Sequence, residues 1–316
     1  MNLLERLQGG IVGVATGDAL GVPVEFSSRD RLKRNPVKDM MGYMCWNQPP
    51  GTWSDDTSLT LCLTESLSNG YDIENIGKTF VKWYQEGYWG AHFKVFDVGG
   101  TTKHSLARIV NGESAYFSGN LFEEDNGNGS LMRTLPLVYF LRTIKNIEER
   151  YKIVKEVSSI THGHFRAVLA CFIYVEYCLL LLKGIEKFQA YIQVKEMVNA
   201  FIKSEGFNEK EANIFHKVLQ KDISKYDSEH INGSGYVLHS LETSLWCFLT
   251  TDSYETCVLK AVNLGEDTDT TAAIAGGLAG LYYGFNAIPE TWKFQLARYD
   301  DIYNLIDRFH ESLRDD

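Results

Sequence analysis

Two short stretches concentrate the side chains that could do chemistry. Asp267-Thr268-Asp269-Thr270-Thr271 packs two carboxylates and three hydroxyls into five consecutive residues, and Ser54-Asp55-Asp56-Thr57 sets two more carboxylates between hydroxyls. Each opens a run with helical periodicity, so each has a plain reading as a helix cap. Asp, Ser and Thr are good N-caps, and a carboxylate complements the positive end of the helix dipole. Capping needs one such side chain, whereas each stretch supplies several. Oxygen-only clusters suit hard divalent cations such as Mg²⁺, Mn²⁺ or Ca²⁺. The stretches lie about 210 positions apart and can meet only through the fold. Brought together, they offer four carboxylates and two hydroxyls, a ligand set for two such ions. The repeated arrangement favours the metal reading over capping.

Other candidates are weaker taken singly. Glu25 follows a Pro turn between apolar neighbours, Val24 and Phe26; it reads either as a solvated loop residue or as a partly buried functional carboxylate. Asp97, in Phe96-Asp97-Val98-Gly99-Gly100, reads on its own as a turn residue. Residues Asn126-Gly127-Asn128-Gly129-Ser130-Leu131-Met132 form a Gly/Asn-rich loop whose amide N–H groups could cradle an anion such as a pyrophosphate. No clear strand precedes it, so neither a dinucleotide-binding nor a P-loop fingerprint applies. His162 and His164 have no Cys or third His nearby, which argues against zinc and leaves a ligand contact or a plain surface position.

The elements that must position these groups read as helices throughout. Residues 3–19 are amphipathic, with Gly9, Gly13 and Gly17 recurring every fourth position. The run from 268 onwards repeats this with Ala272, Gly276, Gly280 and Gly284. Both faces are expected in the crowded centre, where Gly lets backbones approach. Further helices are expected near 55–67, 74–86, 102 onwards, 131–142, 147–160, 165–182, 236–249 and 253–263, and at the C-terminus. Residues 185–230 read as helical, and 27–50 as a long loop without period. No alternation persists long enough for a strand. The expected fold is all-α, a single compact domain over residues 1–316.

Composition sets bounds on partners. The 316 residues are 44% hydrophobic and 23% charged, with a net charge of −10, as in a soluble globular protein. That charge argues against a nucleic-acid phosphate surface as the main partner. Six cysteines without a Cys-x-x-Cys pair suggest reduced, buried thiols of a cytoplasmic protein. Charges at Glu5 and Arg6 interrupt any signal-peptide pattern, and Glu176 lies within the most hydrophobic run, which reads as a core helix and not a membrane span.

In the order of its motifs the chain resembles the ADP-ribosylglycohydrolase family. These are Gly17-Asp18-Ala19-Leu20-Gly21 with Glu25, Trp53-Ser54-Asp55-Asp56-Thr57, Phe96-Asp97-Val98-Gly99-Gly100-Thr101-Thr102, Gly127-Asn128-Gly129-Ser130-Leu131-Met132-Arg133, Thr161-His162 and Gly265-Glu266-Asp267-Thr268-Asp269-Thr270. The resemblance implies an orthogonal helix bundle with two divalent cations, Mg²⁺ or Mn²⁺, between two helix N-termini. It implies Ser54, Asp55, Asp56 and Asp269 at one ion, Asp267, Asp269 and Thr270 at the other, and Asp269 bridging. Glu25 matches a mobile catalytic glutamate and Asp97 a carboxylate of the same site. Loop 126–132, His162 and Tyr236 match positions that contact ADP-ribose. The implied reaction is hydrolysis at ribose C1″ of ADP-ribosylated protein or a related conjugate; nucleic acid enters only as such a substrate. A monomer is expected. The alternatives are an ADP-ribose-binding or transferase-inhibiting protein with secondary catalysis, and a phosphohydrolase acting on the pyrophosphate. Gly100 stands where the family commonly has Asn, and Glu266 adds a charge beside the expected metals.

Overall fold

The computed structural model describes residues 1–313. Its α-helices are, in order, α1 (Leu3–Gly21), α2 (Arg29–Arg34), α3 (Asp55–Leu67), α4 (Ile73–Glu86), α5 (Gly100–Val110), α6 (Pro136–Phe140), α7 (Ile147–Ser159) and α8 (Phe165–Leu182). The second half adds α9 (Lys187–Ser204), α10 (Glu209–Asn213), α11 (His216–Leu219), α12 (Val237–Leu249), α13 (Tyr254–Val262), α14 (Thr268–Tyr283), α15 (Glu290–Gln295) and α16 (Tyr299–Ser312). Among the described residues, β pairing is limited to two isolated bridges, Asn120 with His162 and Gly127 with Tyr236. The all-α expectation holds.

The two glycine-striped helices face each other at the centre. Gly9 lies against Gly280, Gly13 against Gly276 and Gly17 against Ala272, so α1 and α14 run antiparallel. A methyl group added at Gly13 would overlap the Gly276 carbonyl, and one at Gly280 the Gly9 carbonyl. Backbone therefore meets backbone along the pair, with α3, α8, α12, α13 and α16 packed around it. Tyr254 donates its hydroxyl to Gly13 O (2.8 Å) and Tyr174 to Ile274 O (3.1 Å), fixing the register from both sides.

Helix α8 has a mean hydropathy of 2.0 and is long and apolar enough to cross a membrane, yet 83% of it is buried inside the protein. Its one acid, Glu176, takes a bidentate pair from Arg150 at 2.6 and 2.7 Å. This pair offsets the desolvation of the buried carboxylate.

Local expectations are corrected or refined in four places. Residues 131–142 are not one helix: Pro136 cannot donate to a preceding turn, and α6 begins there. The loop 27–50 contains α2, capped by the Ser28 side chain. Residues 185–230 are one long helix, α9, followed by the short α10 and α11 and by 3-10 turns. All six cysteines are free, and Cys45 is exposed where burial was expected.

Candidate metal centre and cleft

The N-termini of α3 and α14 meet. Ser54 is the N-cap of α3, and its hydroxyl donates to Asp56 Oδ2 at 2.9 Å. Thr270 Oγ1, 214 positions away in sequence, reaches the same oxygen at 3.3 Å. Asp267 occupies the N-cap position of α14 but makes no side-chain capping bond. Its carboxylate instead accepts from Asn128 Nδ2 at 2.7 Å. Capping therefore accounts for Ser54 and leaves Asp267 unexplained.

Two groups of carboxylates form around this junction. One oxygen each from Asp18, Asp56 and Asp269 lie within 4.8 Å of one another, as do oxygens from Glu25, Asp267 and Asp269. Asp269 belongs to both. Asp97 lies within hydrogen-bonding reach of Glu25 and Asp269, and Asp55 is buried and lines the adjoining cleft with Glu25, Asp97 and Asp267. No Lys, Arg or His pairs with any of these seven acids among the described residues.

The acids divide by what their oxygens are offered. Asp18 accepts from Ser54 N–H (2.9 Å), Thr57 N–H (3.0 Å) and the Thr57 hydroxyl (2.6 Å). It caps α3 from α1, and its oxygens are taken. Asp56 Oδ1 and Asp269 Oδ2 are buried with no hydrogen-bond partner. A buried polar atom left unpaired costs about 1–3 kcal/mol, more when charged. An oxygen-only set with two unpaired carboxylate oxygens and no cationic side chain fits hard divalent cations.

Electrostatics in the cation-free state follow. Burial, then neighbouring carboxylates, push Asp55, Asp56 and Asp269 well above the ordinary carboxylate range. Burial lifts Asp18 to about 6, held down by its bonds from Thr57 and Ser54. Glu25 rises to about 9, first through burial and then through Asp97. Burial also raises Asp267 and Asp97, and the Asn128 bond opposes it at Asp267.

A cleft of about 230 Å³ opens from these acids towards Gly127, Asn128, Gly129, Met132, His162 and Gly235. Loop 126–132 is held by pairing with the segment before α12: Asn128 N–H donates to Gly235 O and Val237 N–H to Asn126 O. The amides of Asn128 and Met132 are thus already committed, the latter to Asn128 O. That narrows the expected anion cradle to the other amides of the loop. Ser130 turns inward and accepts from Ser158, and Leu131 is buried in the core. A side chain at Gly129 would strike the His162 ring, so glycine there lets the imidazole lie against the loop. Tyr236 pairs with Gly127 through backbone and is half-buried.

Arg133 organises this wall. Its guanidinium is fully buried and donates to Gly129 O at 2.5 Å and to Thr161 Oγ1 at 2.8 Å. Thr161 Oγ1 lies 2.7 Å from His162 Nδ1. With Arg133 donating to that oxygen, the hydroxyl proton goes to Nδ1, and the ring keeps its hydrogen on Nε2. Burial and Arg133 lower the His162 pKa to about 3, so the ring stays neutral, a donor beside the cleft.

Most of the expected site residues lie around this cleft, but Ser130 and Leu131 point into the core, and Asn126 turns its side chain to Glu123 O and His164. Glu266 has a positive φ of 66° and an exposed side chain; its extra charge faces solvent. Gly100 is exposed at the start of α5 on the cleft rim. Asp18, Trp46 and Arg133 were not expected as site residues. A lone Asp in a glycine-striped apolar helix was a legible signal for Asp18. Trp46, whose indole N–H donates to Glu25 Oε2, lies in a loop without period and gave none.

The sequence profile of the ADP-ribosylglycohydrolase family matches residues 1–316. The chain is 31% identical over 310 residues to the ADP-ribosylarginine hydrolase Tri1 of Serratia proteamaculans, covering 96% of this chain and 79% of that protein. It is 28% identical over 299 residues to the ADP-ribosyl-[dinitrogen reductase] glycohydrolase of Rhodospirillum rubrum, covering 92% and 90%. A solved structure described as an ADP-ribosylglycohydrolase-related protein complex superposes with a TM-score of 0.79 at 30% identity, over 98% of each chain. The chain belongs to the ADP-ribosylglycohydrolase family and is a glycosidic-bond hydrolase that removes ADP-ribose from its substrates.

Proposed function

We propose that the protein is a divalent-cation-dependent hydrolase that cleaves the N-glycosidic bond between ribose C1″ and an arginine side chain of an ADP-ribosylated protein. The observation that carries the cation requirement is the pair of unpaired buried oxygens, Asp56 Oδ1 and Asp269 Oδ2, at a junction where Asp269 comes within 4.8 Å of Asp56 on one side and of Glu25 and Asp267 on the other. Ser54, Asp55, Asp56, Asp267, Asp269 and Thr270 are the residues that would hold two ions, Mg²⁺ or Mn²⁺. Bound ions supply Lewis-acid polarisation of the ribose hydroxyls. The arginine linkage is supported by the relatives at 31% identity, which are named ADP-ribosylarginine hydrolases.

The remaining work falls to side chains of this chain. Free amides of loop 126–132 and the Nε2–H of His162 take the diphosphate, with Tyr236 beside them. In the reaction the C1″–N bond breaks and a C1″–O bond forms from water, through an oxocarbenium-like state. Glu25, ionised once cation charge offsets the burial and the Asp97 repulsion that raise it, takes the water proton and returns it to the leaving guanidine nitrogen, with Asp97 beside it. Incubation with arginine-ADP-ribosylated protein plus Mg²⁺ or Mn²⁺ should release free ADP-ribose, and EDTA should stop it. Release of AMP would instead mean pyrophosphate cleavage, and tight binding without product would mean a binding protein.

A further inference from the structure

Glu25 lines two openings. On one side is the cleft with loop 126–132 and His162. On the other is a groove of about 530 Å³ lined by Pro23, Phe26, Ser27, Arg31, Met44 and Cys45. Two of its lining residues are large apolar side chains held out in solvent: Phe26 is 67% exposed and Met44 47%. Its walls are tied down. Cys45 N–H donates to Pro23 O, Tyr43 N–H to Gln48 O, Phe26 N–H to Glu266 O, and the Trp46 indole to Glu25. Phe26, Tyr43 and Asn47 have φ of 61°, 73° and 51°, a backbone region that side-chain-bearing residues hold only where surroundings impose it. Arg31 is the one cation among the lining residues.

We propose that this groove seats the polypeptide of the modified protein. The inference rests on the hydrolase reading above. With ADP-ribose in the inner cleft and C1″ at Glu25, whatever is attached to C1″ continues past Glu25, into the groove that shares that carboxylate. The occupant is an extended segment with an apolar side chain next to the modified arginine, set against Phe26 and Met44, and a carboxylate further along for Arg31. A small apolar contact of this kind discriminates substrates by about tenfold or somewhat more.

The test compares kcat/KM on two substrates: a peptide ADP-ribosylated on arginine with flanking Leu and Glu, and the ADP-ribosylated small guanidine agmatine, which has no polypeptide. Met44→Asp should lower kcat/KM on the peptide about tenfold and leave the agmatine conjugate within about twofold, with Met44→Leu restoring the peptide value. Arg31→Glu should lower it for the Glu-flanked peptide and not for a Ser-flanked one. Equal losses on both substrates, no loss on either, or a Met44→Asp effect traced by sedimentation to a change in self-association would overturn the groove. If the unaltered chain releases ADP-ribose from neither substrate, the hydrolase reading falls first and the groove with it.

Discussion

Asp18 and Asp269 are both fully buried acids, yet they should respond oppositely to the same change. Asp18 receives three donors, so Asp18→Asn sets an amide NH₂ against some of them and loosens the hold of α1 on the α3 terminus. A stability loss of about 1–3 kcal/mol is expected in EDTA, read as a lower unfolding midpoint. Asp269 has an oxygen with no partner and sits among like charges. Asp269→Asn removes a repulsion, so the EDTA midpoint should stay or rise, while hydrolysis and any Mg²⁺-induced stabilisation disappear. A lower EDTA midpoint for Asp269→Asn, with the Mg²⁺ effect intact, would show that the carboxylate is structural. Arg133 gives a third contrast. Arg133→Met leaves Gly129 O and Thr161 without their donor and should weaken ADP-ribose binding by about tenfold, one charge-assisted hydrogen bond's worth, in a calorimetric titration. Thr161→Val, which keeps the guanidinium but cuts the link to His162, should give a smaller loss; unchanged affinity in both would remove the link from the binding wall.

At the scale of elements, the site depends on how closely α1 and α14 approach. In an exposed helix Gly→Ala stabilises by about 1 kcal/mol. At Gly280 the added methyl meets the Gly9 carbonyl, and overpacking of this kind costs about 1–3 kcal/mol. Gly280→Ala should therefore lower the unfolding midpoint despite its better helix propensity; a rise would mean that the helices can part at no cost. The glycine stripes were legible in sequence because a four-residue period survives any fold that buries it. So were the two acid stretches, because several oxygens in a row exceed what a cap needs. The ends of short elements were not: Pro136 divides a periodic run, and α2 is six residues long, too few to show a period. Nor was the Trp46–Glu25 contact, since nothing local marks which indole in an aperiodic loop will turn inward. The pairing of Asp18 with the α3 terminus spans 36 and 39 positions and becomes visible only once α1 lies beside α3.

For the whole molecule, the seven converging acids and the net charge of −10 act in the same direction on stability. In the cation-free fold the carboxyl groups titrate above their ordinary range, Asp18 at about 6 and Glu25 at about 9, chiefly through burial. The folded chain thus holds protons that the unfolded chain has released. That contribution is complete below the unfolded carboxyl values and is lost as pH rises through the folded ones. In EDTA the unfolding midpoint should therefore fall steadily from pH 5 to pH 9. A divalent cation competes with those protons and binds only the folded state, so its stabilisation should grow with pH. At one hundred times Kd it amounts to about 2.7 kcal/mol, several degrees for a chain of this size. The gap between Mg²⁺ and EDTA melts should open from near nothing at pH 5 to its full width by pH 8. Matched NaCl should not reproduce it, because screening acts on exposed charge and reaches buried pairs only weakly. Parallel pH curves in Mg²⁺ and EDTA would mean that the acids do not share a cation, and the charge at the α3–α14 junction would need another partner.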